Sequence, residues 1–203
     1  MTMSRAPIRS AQQVLRSEHD SIRAVLAAMA HFAERGAEGK SLPAPRVFRA
    51  MLVYIDLFAE RVHHPKEERK LFRLLRQRDP RASSLIDRLE LEHSRGAGAI
   101  RKLEQAFTRW EEGGEHYFAD FAKHVEEFTS FYRAHLRAEE TELLPLAETA
   151  LTREDWKAVD ESFAEGDDPL AGAGEERDLQ RLFTRIATIT PAPLGVAAPL
   201  PES

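Results

Sequence analysis

The chain has 203 residues, 42% hydrophobic and 31% charged, the profile of a globular chain rather than a low-complexity or fibrous one. Acids exceed bases by 34 to 29 and no Lys/Arg block stands out to track phosphates, which argues against a nucleic-acid partner. The absence of cysteine excludes disulfides, thiolate zinc sites and iron–sulfur clusters.

No apolar run approaches the ~20 residues of a membrane span, and residues 1–10 hold no apolar secretory segment. A cytoplasmic protein with no membrane partner is therefore expected. Residues 1–9, with Pro7, read as a flexible lead-in. From about Ser10, Leu15, Ile22, Leu26, Met29 and Ala33 recur at steps that keep one helix face, and His19 falls inside that face. Gly36, Gly39, Pro43 and Pro45 end this helix.

A second helix over about 45–78 carries Phe48, Ile55, Ala59, His63, Glu67, Leu71 and Leu74. Pro65 lies inside it and removes a backbone donor, which predicts a kink or loosened turn beside His63. Asp79-Pro80 supplies a cap and a first-turn proline. The third helix follows with Leu85, Leu89, His93, Gly96, Ile100, Leu103, Phe107 and Trp110 on one stripe. Gly96 would let a neighbour approach closely.

Gly113-Gly114 breaks that helix. The fourth, about 115–150, aligns Phe118, Phe121, Val125, Phe128, Tyr132, His135, Glu139 and Leu143, with Pro145 near its end. Thr152 to Asp155 resembles a capped start for a short helix over 153–164, whose Trp156, Val159 and Phe163 would pack on the bundle. Gly166 to Pro169 stops it, and a last helix is expected at 175–189. Residues 191–203, rich in proline and alanine, read as a disordered tail. The expected fold class is all-α: an up-down-up-down four-helix bundle over 10–150, with a short helical C-terminal extension at 151–190.

The chemistry lies in a pattern that occurs twice. His63 to Leu71 and His135 to Leu143 both read His-x-x-x-Glu-Glu-x-x-Leu. On a helix, residues four apart stack on one face, so His63/Glu67 and His135/Glu139 can each aim at one point, a donor set that suits iron or a similar divalent metal. Each motif follows a helix with one core histidine, His19 or His93, so the two halves form a near-repeat that could place two metal sites face to face. Buried Glu67 and Glu139 would each cost several kcal/mol unless paired or metal-bound.

Other candidates are weaker. Glu68 and Glu140 lie off the stripe, and surface solvation is expected for them. His64 is about 100° round the helix from His63 and is expected as a partly exposed bystander. His124 sits too far along the axis, and His31 and His116 lie near helix ends. Tyr132 either lines the pocket or packs in the core. Glu60-x-x-His63 and Glu90-x-x-His93 match the ferritin-like Glu-x-x-His motif, but on adjacent helices, which disfavours that reading.

With these residues placed, the chain resembles the hemerythrin-like (HHE cation-binding) family over about residues 10–170. The carrying motifs are Glu18-His19-Asp20, His63-His64-Pro65-Lys66-Glu67-Glu68 and His135-Leu136-Arg137-Ala138-Glu139-Glu140. Asp155-Trp156, Phe163 and Asp168-Pro169-Leu170 follow downstream. The resemblance implies a non-haem di-iron centre. In it, His19, His63, His93 and His135 would be terminal ligands, two per iron, with Glu67 and Glu139 bridging and an oxo or hydroxo bridge between the irons. Which histidines share an iron stays open.

The resemblance also implies a small ligand as partner: O2, NO or peroxide. Oxygen-carrying members have a second histidine where this chain has Ala97, and an aspartate where it has Glu140. Fewer ligands leave a more open iron, so three functions stand side by side. They are binding or sensing of the small ligand, catalase-, peroxidase- or NO-directed oxidoreductase activity, and an iron-responsive helical interaction module.

Overall fold

The computed structural model describes residues 10–164 and 173–201. Ser10 starts α1 (Ala11–Ala37) with a reciprocal cap. Its hydroxyl accepts from the Gln13 N–H at 3.3 Å, while Gln13 Oε1 accepts from the Ser10 N–H at 3.1 Å, which satisfies two end donors.

After Pro45 the chain enters α2 (45–78), a continuous rod of changing pitch. α-Helical Pro45–Tyr54 widens into π-helix at Ile55–His63, returns to α over His64–Lys66, and widens again at Glu67–Phe72 before Arg73–Arg78. The expected loosening beside Pro65 therefore takes the form of two wide segments, one on each side of the proline. Pro65 has no N–H and its ring crowds the carbonyl one turn back, and π-turns accommodate such a defect without breaking the rod. The His64 N–H reaches Ala59 O, five residues back. With the wider pitch, Ile55, Ala59, His63, His64, Glu67 and Leu71 are all buried.

Asp79 caps the Arg81 N–H at 3.0 Å. A 3-10 turn, Pro80–Ala82, then leads into α3 (Ser83–Gly113). Gly114, with φ 97°, reverses the chain in a conformation that favours glycine. A 3-10 turn at Glu115–Tyr117 precedes α4 (118–150), which is α-helical over Phe118–Ala138, π-helical over Glu139–Leu143 and α-helical again over Leu144–Ala150. Two shorter helices follow, α5 (Arg153–Ala164) and α6 (Ala173–Ile189). Among the described residues no helix is long and apolar enough to cross a membrane, and the only extended pairing is a bridge between Pro191 and Ala197.

α1 packs on α4, α4 on α3, and α2 against α1 and α3. The core they enclose is divided in two. One apolar cluster holds Ile22, Leu26, Phe32, Phe48, Ile55, Ile100, Trp110, Phe121, Phe128 and Leu136. The other holds Leu15, Leu71, Phe72, Ile86, Leu89, Leu143 and Leu144. On α1, α2 and α3 the buried histidines and glutamates fall between the two, and on α4 His135 and Glu139 flank the change from one to the other, so a polar layer crosses the middle of an apolar core.

α5 closes one end. Val159 and Phe163 join the second cluster with Trp156 against it, and Asp160 Oδ1 accepts from the Ala11 N–H at 2.7 Å. α6 lies along the first part of α2, where Phe183 meets Tyr54 at 5.5 Å. The tail departs from expectation. Residues 191–201 fold back through turns, with the Val196 N–H on Ala187 O, the Ala197 N–H on Thr190 O, and Arg35 Nη2 on Pro201 O at 3.0 Å. These partners offset the ordering entropy that composition alone suggested would prevail. The expected lead-in at 1–9 and the stop at Gly166 to Pro169 lie outside the described residues.

The start of α5 makes a direct test of its docking. Thr152 Oγ1 accepts from the Asp155 N–H at 3.2 Å, Asp155 Oδ2 accepts from the Thr152 N–H at 3.0 Å, and Arg78 grips the same carboxylate at 2.7 and 3.0 Å. Thr152→Ala is expected to cost about 1 kcal/mol, a Tm loss of about 2–4 °C in a thermal melt. The Arg78 guanidinium, with the Thr152 N–H, holds the Asp155 carboxyl down from 3.8 to about 2. A depressed carboxyl stabilises above its unfolded pKa, and the effect is lost as pH falls through the folded one. The margin of wild type over Asp155→Asn should therefore be full above pH 4 and close as the pH approaches 2; a margin independent of pH there counts against this pairing.

Candidate metal centre

Each of the four long helices delivers one of the histidines singled out by spacing to the polar layer, and α2 and α4 each add the carboxylate that follows four residues on. His19, His63, Glu67 and Glu139 are at most 2% exposed, as is His135, and His93 is 6% exposed. All six residues singled out by their spacing therefore converge. His19 Nε2 and His63 Nε2 lie 3.1 Å apart, and His93 Nε2 and His135 Nε2 lie 3.2 Å apart. The four imidazoles thus form two pairs, each joining the two helices of one half-repeat, which spacing alone had left open.

The two carboxylates sit between the pairs. Glu67 is 3.8 Å from both His19 Nε2 and His63 Nε2, and 3.7 Å from His93 Nε2. Glu139 is 3.0 Å from His135 Nε2 and 3.4 Å from both His93 Nε2 and His19 Nε2. Each carboxylate therefore reaches both histidine pairs. Glu67 Oε2 and Glu139 Oε2 are buried with no hydrogen-bond partner.

A second ring of carboxylates orients the imidazoles. His63 Nδ1 meets Glu18 at 2.7 Å and His135 Nδ1 meets Glu92 at 2.9 Å. His19 Nδ1 meets Glu140 at 3.0 Å and His93 Nδ1 meets Glu68 at 2.7 Å. An ionised carboxylate only accepts, so each Nδ1 carries the proton. Every Nε2 then faces inward, the arrangement that orients metal-ligating histidines and raises their basicity. Lys66 Nζ braces Glu18 at 2.8 Å, and Arg23 braces Glu140.

Glu68 is exposed, as spacing suggested, and Glu140 half-buried, but spacing arguments missed that each bonds a histidine, as do Glu18 and Glu92. Helix phase does point Glu68 and Glu140 off their own helix's inner stripe, but a neighbouring helix brings a histidine to them. The signal was in the motif, because Glu18 and Glu92 stand directly before a core histidine, and Glu68 and Glu140 directly after a core glutamate.

His64 is a further correction. It is 3% exposed and its ring stacks on His93, with centroids 3.9 Å apart and planes 8° apart. The π-turn before it brings His63 and His64 onto the inner face together, which an ideal helix does not do. Tyr132 is fully buried and donates to Glu60 Oε1. Glu60 in turn crowds Gly96, where a Cβ would stand 2.7 Å from the same oxygen, the close approach expected at that glycine. His124 bonds Asp120 O within its own helix, away from the site.

The electrostatics are those of a site built for cations. Burial foremost, with the Glu139 charge beside it, pushes the Glu67 carboxyl up to about 8. Burial also acts to raise Glu139, but His135, His93 and His19 overcome it and hold that carboxyl well below the usual range. For His135, burial works against the charged ring, yet Glu139 and Glu92 carry it up to about 10. Burial keeps His64 neutral, its pKa well below the usual value.

The donor set fits metal cations. With each Nδ1–H committed to a carboxylate, the paired Nε2 atoms stand 3.1 and 3.2 Å apart, about the separation of two neighbouring ligands bound at ~2.1 Å to one ion. The carboxylates in and around the layer also outnumber Lys66 and Arg23, a surplus that bound cations would offset.

A family model described as the hemerythrin HHE cation binding domain matches residues 10–147, a span that contains the six inner donors and all four outer carboxylates. No curated protein and no solved structure matches the chain. The match covers well over half of the sequence, and the chain belongs to the hemerythrin HHE cation-binding domain family.

Proposed function

We propose that this layer holds two non-haem iron ions and that the pair binds or senses a small ligand: O2, NO or peroxide. In this reading the four long helices run up-down-up-down, His19 and His63 serve one iron, His93 and His135 the other, and Glu67 and Glu139 span both. The observation that carries it is the double reach of each carboxylate to both inward-facing imidazole pairs. Bound iron would supply redox electrons and open coordination positions to such a ligand.

The chain's own residues do the rest. The outer carboxylates Glu18, Glu68, Glu92 and Glu140 fix the ring orientations, so the donors are set before any cation arrives. The apolar clusters exclude bulk water: Leu26, Ile55, Leu89 and Ile100 are fully buried and Phe128 nearly so. They offer no polar handle for an organic substrate, which favours a ligand of two or a few atoms. An oxidoreductase acting on peroxide or NO is the second reading. It is supported by Ala97, one turn past His93, where the chain places a methyl group instead of a donor.

Metal analysis of purified wild type is expected to give two irons per chain. His63→Ala is expected to lose at least the iron shared with His19, together with its near-ultraviolet charge-transfer bands. Wild-type protein that holds no iron, or a His63→Ala variant that holds as much, ends this reading. Peroxide turnover above that of free iron selects the enzyme, and a stable oxygenated spectrum selects the binding protein.

Acid–base linkage gives an independent check. In metal-free protein the Glu67 carboxyl, pushed up to about 8 from 4.5, carries a proton at neutral pH that a cation must displace. His135, raised to about 10, holds a second such proton, so iron affinity should rise with pH through 8 and on towards 10, by up to tenfold per unit for each proton displaced. The raised carboxyl also makes metal-free protein lose stability as pH climbs from 4.5 to 8. The Tm gap between loaded and metal-free protein should widen over that interval; at a thousandfold excess over Kd, loading is worth about 4 kcal/mol. A gap that narrows with pH overturns the protonation assigned to Glu67.

A further inference from the structure

α6 lies outside residues 10–147, the span that matches the family model, yet it builds a feature together with that domain. Packed along the first part of α2, it leaves a cleft of about 240 Å³ between itself, α1 and α2. Val14, Tyr54, Phe58, Leu179 and Phe183 give the cleft apolar walls. Of these, Val14, Phe58 and Phe183 are only half-buried, so part of their apolar surface has no cover. The carboxylate of Glu18, nine-tenths buried, lines the same cleft.

The cleft adjoins the polar layer without entering it. Glu18 Oε2 accepts from His63 Nδ1 at 2.7 Å, and its Oε1 accepts from Lys66 Nζ at 2.8 Å; each oxygen keeps a further acceptor position. Phe58 stacks on His63 at 6.3 Å and 28°, Tyr54 stacks on Phe58 at 5.1 Å and 30°, and Phe183 meets Tyr54 at 5.5 Å. A file of rings thus runs from α6 along the cleft wall to the His63 imidazole.

Size and lining together select an occupant. A dry apolar cavity of ~150 Å³ takes benzene, and pockets for drug-sized molecules begin at about 300 Å³, so this cleft suits a single substituted ring. Aromatic walls favour a planar aromatic one. A carboxylate with spare lone pairs favours a substituent that donates, and repels an anion.

We propose that this cleft binds a small phenol of the hydroquinone class, the electron donor of the iron pair. The inference rests on the iron reading above and names the reducing substrate that its oxidoreductase form requires. One ring hydroxyl donates to Glu18, and the ring packs on Phe58, one side chain away from His63. A hydroquinone gives one electron to each of two ferric ions, which become ferrous, and releases both hydroxyl protons to water at the exposed side of the cleft, beside Ser17 and Gln180. The quinone that remains has no O–H left to donate to Glu18, so the product is held less tightly than the substrate.

The test uses the full chain, metal-free and ferric, with hydroquinone as the probe. Metal-free wild type should bind one hydroquinone per chain in calorimetry. The saturated diol of the same ring size, which keeps both hydroxyls and lacks the aromatic face, should bind at least tenfold more weakly. Ser17→Phe fills the cleft from an exposed position on α1 and should lower hydroquinone affinity at least tenfold with iron content retained. Hydroquinone should bleach the charge-transfer bands of ferric wild type at a rate that saturates with concentration, and below saturation the rate should fall at least tenfold in Ser17→Phe.

No saturable binding, equal binding of the saturated diol, equal affinity in Ser17→Phe, or ferric wild type that binds hydroquinone without being reduced overturns the proposal and leaves the iron centre standing. Wild type that takes up no iron removes the underlying reading, a distinguishable failure, because the metal-free titration still reports whether the cleft takes the ring. If Ser17→Phe does not fold, Gln180→Phe blocks the same cleft from the exposed side of α6 and is held to the same outcomes.

Discussion

Two carboxylates, Glu67 and Glu139, are buried within reach of the same imidazoles, and the rest of the structure is arranged around that juxtaposition. Removing each charge from water costs several kcal/mol, and like charges at close range add to the cost. Four inward-facing imidazoles, each backed by another carboxylate, surround them, and Lys66 and Arg23 brace the outer ring. The layer is thus a set of donors and acceptors whose unmatched remainder includes two buried carboxyl oxygens, Glu67 Oε2 and Glu139 Oε2. Cations are the chemistry that such a remainder selects, in agreement with the family to which the chain belongs.

The near-repeat in the sequence has a counterpart in the hydrogen bonds. Glu18 to His63 and Glu92 to His135 are the same contact made within each hairpin. Glu140 to His19 and Glu68 to His93 are the same contact made between hairpins. Each half therefore completes the other's orientation, and neither hairpin alone could present its donors. The π-turns serve the same end. They occur where the inner donors lie, at His63, Glu67 and Glu139, and set a local phase that a regular helix would not reach.

The helices were legible because their apolar stripes are long and their breaks carry glycine and proline. The six inner donors were legible because His-x-x-x-Glu places both groups on one face of an ideal helix. What stayed hidden depended on departures from that ideal or on neighbours. His64 came inside because the turn before it is wide, which no periodicity of 3.6 can express. Glu68 and Glu140 left their own stripe only to meet a histidine from another helix, a relation that exists once the helices are packed. Residues 191–201 looked like a tail because composition reports cost and is silent about the backbone partners at Ala187 and Thr190.

The division of the core bears on when the metal enters the life of the chain. The large apolar side chains sit in two clusters above and below the polar layer, so most of the burial that drives collapse lies outside it. The outer carboxylates already satisfy every Nδ1 of the four inner histidines. Folding and metal uptake are thereby separable events: the chain can reach its native topology first and acquire cations as a finished receptor. Small zinc domains behave in the opposite way, since the ion there is itself the core.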